Sequence, residues 1–174
     1  GYPPAQCNLG LCYERGAGVE QDYQKAAQLY RQAAQAGDAA AQSNLGHFYY
    51  NGYGVERDDE QAVHWFLQSA EQDFPAGIFN LALCYENGRG VQKDLKKARE
   101  LYVKSAQLGD ESAMYALGRC CRDGVGGPAD REQALHWLRQ AAQRGSQRAA
   151  QDLKALEGEK PKSLLGRLFG KRGS

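Results

Sequence analysis

Three histidines and four closely spaced glycine pairs are the first residues to consider as a catalytic or ligand-binding site. His64 and His136 lie 72 residues apart, and His47 belongs to a different segment of the chain. No zinc-ligand spacing or hydrolase triad connects them. The glycine pairs, such as Gly16 and Gly18, lack the lysine and the preceding strand of a phosphate-binding loop. The sequence therefore predicts no catalytic centre, no metal site and no cofactor, so we do not expect an enzyme.

Five cysteines could supply thiol chemistry, but their positions indicate packing. Cys12, Cys84 and Cys120 occupy equivalent places, and the equivalent place in between holds Phe48. A place that accepts either phenylalanine or cysteine is typical of an apolar core, where cysteine acts as a small hydrophobic residue. We therefore expect reduced thiols, which favours a cytoplasmic location, with the periplasm as the alternative.

One period of 36 residues organises the chain and contains all of these positions. It relates sets of four residues without a gap, which indicates a repeat array. These sets are Leu9, Leu45, Leu81 and Leu117; Gly16, Gly52, Gly88 and Gly124; Gly18, Gly54, Gly90 and Gly126; Asp22, Asp58, Asp94 and Asp130; and Ala26, Ala62, Ala98 and Ala134. The predicted units span about 4–39, 40–75, 76–111 and 112–147, followed by a capping helix over 148–157 and a tail over 158–174.

Each unit predicts two helices. In the first unit, helix A runs from about Ala5 to Glu14, and Gly16 follows where a left-handed C-terminal cap is expected. Asp22 then suits the N-cap of helix B, because its carboxylate can accept unpaired backbone N–H groups. Neither helix can bury its apolar stripe alone, so the units must stack. The predicted fold class is an all-α solenoid.

The segment AQCNLGLCYERGAGVEQDYQKAAQLYRQAAQAGD, and its counterpart in the second unit, resemble the Sel-one-like repeat family, relatives of the tetratricopeptide repeat. The resemblance implies a right-handed superhelix that binds proteins, often in bacterial settings. Secreted members of the family link helix A to helix B by a disulfide, which this chain cannot form because helix B contains no cysteine. The fourth unit departs from the pattern at Cys121 and at Gly127–Pro128, so we expect its loop to pack differently.

Residues 7, 11 and 14 of the first helix A, and their counterparts in the other units, vary in type from unit to unit. They fall on one stripe of the helix surface. In tetratricopeptide relatives this helix lines the concave surface, so the stripe predicts a protein-binding groove rich in aromatic and arginine anchors. Its residues are Cys7, Leu11, Glu14, Ser43, His47, Tyr50, Phe79, Leu83, Glu86, Tyr115, Arg119 and Arg122. Alternatively, some of them, notably Leu11 and Leu83, pack between helices.

A column of asparagines runs along the same helices at Asn8, Asn44 and Asn80 and ends at Ala116. Related domains use such asparagines to hold the backbone or carboxylate of a bound peptide. Inter-repeat hydrogen bonds that maintain stacking are the alternative reading, and the sequence leaves both open.

The net charge of +1 gives no reason to expect nucleic acid as a partner. The tail is basic, and Leu164, Leu165, Leu168 and Phe169 give it an apolar face, so it could dock on the array, on a neighbouring molecule or on an anionic membrane. Gly1 has the register of an inter-repeat linker, which raises the expectation of a further repeat upstream.

The favoured function is a scaffold or adaptor that binds a protein segment in the groove. The alternatives are an immunity protein that antagonises a secreted toxin, and an accessory module of a larger enzyme.

We predict that the thermal stability of the protein barely responds to reducing agent. The reason is the lack of a cysteine in helix B. The measurement is the melting temperature with and without dithiothreitol, and a large drop on reduction would reveal a structural disulfide.

Overall fold

The computed structural model describes residues 2–158, which contain nine helices and no strand. Helices A are α1 (Pro3–Arg15), α3 (Ala39–Asn51), α5 (Pro75–Asn87) and α7 (Glu111–Asp123). Helices B are α2 (Tyr23–Gln35), α4 (Asp59–Glu71), α6 (Leu95–Gln107) and α8 (Arg131–Gln143), and α9 (Gln147–Gly158) packs against α8. The predicted all-α solenoid is confirmed. Apart from Gly158, the predicted tail lies outside the described residues.

The predicted caps fix the ends of the helices. Gly16 and its three counterparts adopt the left-handed conformation directly after helix A, with φ between 68° and 77°. The carboxylate of Asp22 accepts a hydrogen bond from the backbone N–H of Lys25, and Asp58, Asp94 and Asp130 do the same for their own helices. Local sequence therefore sets where each helix A stops and where each helix B starts.

Within a unit, a small residue of helix A lets one large side chain of helix B approach closely. A Cβ atom on Gly10, Gly46 or Gly118 would overlap the side chain of Tyr30, Phe66 or Leu138. These three large side chains are at most 1% exposed. A leucine followed by a small residue is thus a packing motif of helix A, in which the small residue makes room for the large helix B side chain. The motif is Leu9–Gly10, Leu45–Gly46, Leu81–Ala82 and Leu117–Gly118.

Between units, the leucine of the same motif becomes the contact. Leu45, Leu81 and Leu117 are at most 3% exposed, because each helix A packs against helix B of the unit before it. Leu9 is 45% exposed, since no described unit precedes α1. The burial of this leucine therefore depends on stacking and not on the unit itself.

The second glycine of each loop serves the same stacking. A Cβ atom on Gly54 or Gly90 would overlap the first backbone carbonyl of the preceding helix B, at Tyr23 and Asp59 respectively. Gly18 also has a positive φ, of 77°, but no atom lies near its missing Cβ. In the fourth loop, Arg99 donates hydrogen bonds to the carbonyl oxygens of Val125 and Pro128, so this loop is held by an extra side chain.

We predict that Gly90→Ala destabilises the array more than Gly18→Ala. Both changes place a side chain at positive φ, which costs about 1–2 kcal/mol, but only Gly90→Ala adds a clash with the Asp59 carbonyl. The free energy of unfolding from urea titration measures the difference. Equal losses in the two variants would contradict this role of the second glycine.

Candidate functional site

Helices A lie side by side along one face of the array, which we call the inner surface. Helix α3 contacts α1 and α5 directly, and no two helices B in the described part of the chain make a comparable contact. A protein segment could therefore lie across helices A. This surface contains the predicted stripe, and the structure places the residues of the stripe in several different environments.

Glu14 of unit one and its counterpart Glu86 of unit three are used for packing inside their own units. The phenol of Tyr30 donates a 2.5 Å hydrogen bond to the Glu14 carboxylate, and Tyr102 donates one of 2.5 Å to Glu86. Both tyrosines are fully buried, and desolvation followed by the glutamate bond raises the pKa of each phenol far above its ordinary value. Glu14 and Glu86 thus satisfy buried hydroxyl groups that would otherwise lack a partner.

Unit two replaces this pair with two aromatic residues. Tyr50 stands where units one and three have glutamate, Phe66 stands where they have tyrosine, and the ring centroids of Tyr50 and Phe66 are 6.5 Å apart. Since Phe66 has no hydroxyl group, no carboxylate is needed beside it. The inner surface becomes apolar at this point.

An aromatic cup opens there between α3 and α5, with a volume of about 240 Å³. It is lined by His47, Tyr50, Asn51, Phe66, Phe79, Asn80 and Leu83. Five of these residues belong to the predicted groove or to the asparagine column. Asn51 and Phe66 were missed, Asn51 because it lies one residue outside the stripe and Phe66 because its spacing indicates core.

Tyr50 is held by Arg89 of the next unit's loop, which pairs with Asp59 at the start of α4. The guanidinium of Arg89 lies 3.4 Å from the centre of the Tyr50 ring and donates a 2.7 Å hydrogen bond to the Tyr50 carbonyl. Arg89 also forms a salt bridge with Asp59 at the start of α4. The hydrogen bonds of Arg89 and Arg57 lower the pKa of Asp59 to about 2.

A second hollow, the arginine cup, adjoins the first and has a volume of about 320 Å³. Its lining is Phe79, Leu83, Glu86, Tyr102, Glu111, Ser112, Tyr115, Ala116, Arg119, Ser146 and Arg148. Phe79 and Leu83 belong to both cups, so one partner segment could contact both. Arg148 was not predicted, because only the packing of α9 against the array brings it here.

Other predicted groove residues lie inside the array or at its first helix. Cys7 is 7% and Ser43 is 3% exposed, because both face the next helix A. The amide of Asn44 donates to the Cys7 sulfur at 3.7 Å, and that of Asn80 lies 3.5 Å from the Ser43 hydroxyl. These contacts of Asn44 and Asn80 are of the inter-repeat kind that the sequence offered as the alternative to peptide binding. Leu11 is half-buried on α1, and Asn8 is exposed there.

Arg122 connects helix α7 to helix α9. It pairs with Asp123 and with Asp152 of α9, and Tyr115 also donates to Asp152, at 3.3 Å. Hydrogen bonds to Asp123 raise the pKa of Arg122. Its guanidinium therefore already has two carboxylate partners.

A further cavity, with a volume of about 690 Å³, lies away from helix A's stripe, between α2 and the loop before α4. Three of its polar side chains already have partners: Arg31 donates to the Tyr49 hydroxyl, Arg57 pairs with Asp59, and Asp58 caps α4. We therefore regard the inner surface as the stronger candidate site.

Within residues 2–158, no three histidine, cysteine or acidic side chains come together as metal ligands would. The five cysteines form no disulfide there, and burial raises the pKa of Cys7 and Cys120 to about 11 and of Cys84 to about 12. The thiols of Cys7, Cys84 and Cys120 are therefore protonated core groups near neutral pH.

No helix in the described part of the chain combines the length and the apolar character needed to span a membrane.

Stacked two-helix units with a hollowed inner surface define the class of helical-repeat solenoids. The Sel1 repeat profile matches residues 3–38, 39–74, 75–110 and 111–146, so the chain belongs to the Sel1 repeat family. The profile places each unit boundary one residue before the boundary expected from the sequence. Proteins of this family generally serve as protein–protein interaction scaffolds and are typically non-catalytic.

Solved structures of bacterial relatives share the fold. A Sel1 repeat protein from Oxalobacter formigenes is 29% identical, with a TM-score of 0.85 over 98% of this chain and 70% of the other. The protective antigen c5321 of uropathogenic Escherichia coli, described as displaying an SLR fold, is 36% identical with a TM-score of 0.80. That match covers 88% of this chain but only 33% of the antigen.

Cysteine-rich protein B of Helicobacter pylori is 27% identical, with a TM-score of 0.62 over 79% of this chain and 99% of that protein. A comparison with curated protein sequences gave no significant match.

We predict that the stability difference between wild type and Arg89→Ala narrows as the pH falls from 5 to 2. In the folded protein the pKa of Asp59 is lowered to about 2. The stabilisation by its ion pairs is therefore complete at pH values above the pKa of this aspartate in the unfolded chain. It disappears as the pH falls through the pKa of Asp59 in the folded protein. Urea unfolding at several pH values measures this difference.

Lys97→Ala is the matched control, since Lys97 lies over the Tyr85 ring as Arg89 lies over Tyr50. The stability difference for Lys97→Ala should stay constant over the same range. A constant difference for Arg89→Ala would contradict the role assigned to Asp59.

Proposed function

We propose that this protein is a scaffold or adaptor that binds an extended segment of a partner protein across the inner surface of helices A. The main support is the pair of adjoining cups between α3, α5 and α7, which share Phe79 and Leu83. A segment that follows the inner surface would pass both cups in turn. The proposed binding residues are those predicted residues that line the cups, namely His47, Tyr50, Phe79, Asn80, Leu83, Glu86, Tyr115 and Arg119.

The chemistry of these residues suits protein binding. Aromatic side chains and arginines are the residues that most often dominate protein interfaces. Arg119 is exposed and lies 6.0 Å from the centre of the Tyr115 ring, so its guanidinium has a neighbouring aromatic face and its donors point to the surface of the arginine cup. The described structure offers no comparable cluster of aromatic residues on helices B.

The unpaired thiols add an inference about location. Disulfides form readily in oxidising compartments, so five cysteines without a bridge fit the cytoplasm better than the periplasm.

The experiment selects peptides from a random library displayed on phage against the wild-type protein and measures their Kd by calorimetry. We expect Arg119→Ala and Phe79→Ala to weaken binding by ~2 kcal/mol or more, which is roughly 30-fold in Kd. Such losses are typical when a buried anchor of an interface is truncated.

The controls are Lys104→Ala on helix α6 and Gln28→Ala in the large cavity beside α2, which should bind like wild type. All variants are compared by urea unfolding, because a defect in one unit spreads to its neighbours. If the two inner-surface variants bind normally while Lys104→Ala or Gln28→Ala fails, the proposed surface is wrong.

A further inference from the structure

The aromatic cup exists because unit two exchanges two residues that units one and three share. Those units carry a glutamate–tyrosine hydrogen bond, Glu14 with Tyr30 and Glu86 with Tyr102. Unit two has Tyr50 and Phe66 at the same places. A carboxylate at this point of the inner surface is replaced by an aromatic wall, and the buried hydroxyl that required it is lost at the same time.

The lining of the cup excludes a charged occupant. Tyr50, Phe66, Phe79 and Leu83 supply its apolar walls, and it contains no aspartate, glutamate, lysine or arginine. Desolvation lowers the pKa of His47, which favours the uncharged form of this histidine. A charged group would lose its hydration here without gaining an ion-pair partner, whereas an apolar side chain gains by leaving water.

The size of the cup suits one side chain. Its volume of about 240 Å³ is below the ~300–1,000 Å³ of pockets that hold drug-sized molecules. The walls still leave room for a branched aliphatic group or a single aromatic ring.

The rim of the cup suits a peptide backbone. Asn51 donates one hydrogen bond to the His47 carbonyl, and its side-chain oxygen is an acceptor. Asn80 makes only a long contact of 3.5 Å to Ser43. Two carboxamides beside an apolar hollow match the alternating donors and acceptors of an extended segment whose side chain enters the hollow.

We propose that the aromatic cup binds one leucine- or phenylalanine-sized side chain of an extended partner segment, and that Asp59 and Arg89 act as positioning residues for its Tyr50 wall. This inference rests on the proposed function, namely that the inner surface binds protein segments. Arg89 and Asp59 are not part of the lining; they act through the 3.4 Å stacking of the guanidinium on the Tyr50 ring. Unit junctions one–two and three–four have Tyr53 and Val125 in place of Arg89, so this clamp belongs to one junction.

The test is an NMR titration of the ¹⁵N-labelled protein with N-acetyl-L-leucinamide and N-acetyl-L-phenylalaninamide. N-acetylglycinamide is the negative probe, because it has the same amides without a side chain. We expect saturable shifts at the backbone amides of His47, Tyr50, Asn80 and Leu83, with a Kd on the order of 1–10 mM for ligands this small. Shifts that are absent, or equal for the glycine probe, would overturn the proposal.

The double variant Tyr50→Glu/Phe66→Tyr isolates the cup from the fold. It installs the glutamate–tyrosine pair that units one and three already contain, so the array should fold normally while the cup is lost. We expect at least a tenfold rise in Kd for both amides. The reverse exchange in unit one, Glu14→Tyr/Tyr30→Phe, is the matched control and should leave the shifts of the unit-two cup unchanged. Wild-type affinity in the first double variant would overturn the assignment.

The positioning role has its own test. At temperatures below the melting transition of the variant, Arg89→Ala should raise the Kd of both amides about threefold or more. The reason is that the Tyr50 ring loses its cation–π partner. Arg89→Lys should restore at least half of the loss, because lysine keeps a cation over the ring. If Arg89→Ala binds like wild type, or if Arg89→Lys gives no rescue, the positioning role is wrong.

These outcomes are separable from the proposed function. That function is judged by the library-selected peptides and by Arg119→Ala, which lies in the arginine cup and outside the aromatic cup. Selected peptides that depend on Arg119 but not on Tyr50 would retain the scaffold and overturn the aromatic anchor site.

Discussion

The contact on which the structure depends is the burial of one large helix B side chain against a small residue of helix A. Gly10, Gly46 and Gly118 leave the space that Tyr30, Phe66 and Leu138 fill, and a single added methyl group would overlap each of them. This contact fixes the distance between the two helices of a unit. It also determines the chemistry of the inner surface, because the end of the helix B side chain reaches residue 14 of α1 or its counterpart in another helix A. A tyrosine on helix B needs a hydrogen-bond acceptor at that residue and finds a glutamate, whereas a phenylalanine on helix B needs none.

Stacking adds a second layer of constraint. The leucine of helix A and the second glycine of the loop are buried or crowded only when a unit has a neighbour before it, as the contrast between Leu9 and Leu45 shows. The loop residue after the first glycine then contacts the start of the previous helix B, through stacked rings for Tyr53 with Tyr23 and through charge for Arg89 with Asp59. Neighbouring units are therefore joined by the leucine and glycine contacts, which recur, and by a loop contact whose residues change from junction to junction.

Local variation on a uniform frame is what gives this surface its proposed specificity. The four units provide the same backbone path, but the aromatic exchange lies in unit two and the exposed Arg119 in unit four. A partner segment would therefore meet an apolar hollow and then a polar one as it crosses α3, α5 and α7. For a Sel1 repeat array, recognition would be determined by a few side chains that the repeat itself does not require, while glycines, leucines and alanines maintain the helix packing that displays those side chains.

The sequence by itself determined the repeat, the helix pairs, their glycine and aspartate caps and the solenoid, because periodicity and capping are local properties of the chain. Spacing also assigned positions 7, 11 and 14 to one face of helix A. Only the tertiary structure decided what that face touches: Cys7 and Ser43 turn towards the next helix, Glu14 and Glu86 bond to buried tyrosines, and Arg122 joins α9. The exchange at positions 14 and 30 was visible in the sequence as a change of pairs between units. The structural consequence of this exchange depends on a contact between two residues that are 16 apart in the chain and lie on different helices. Whether they touch is decided by the angle between the two helices, which the periodicity of the sequence does not give.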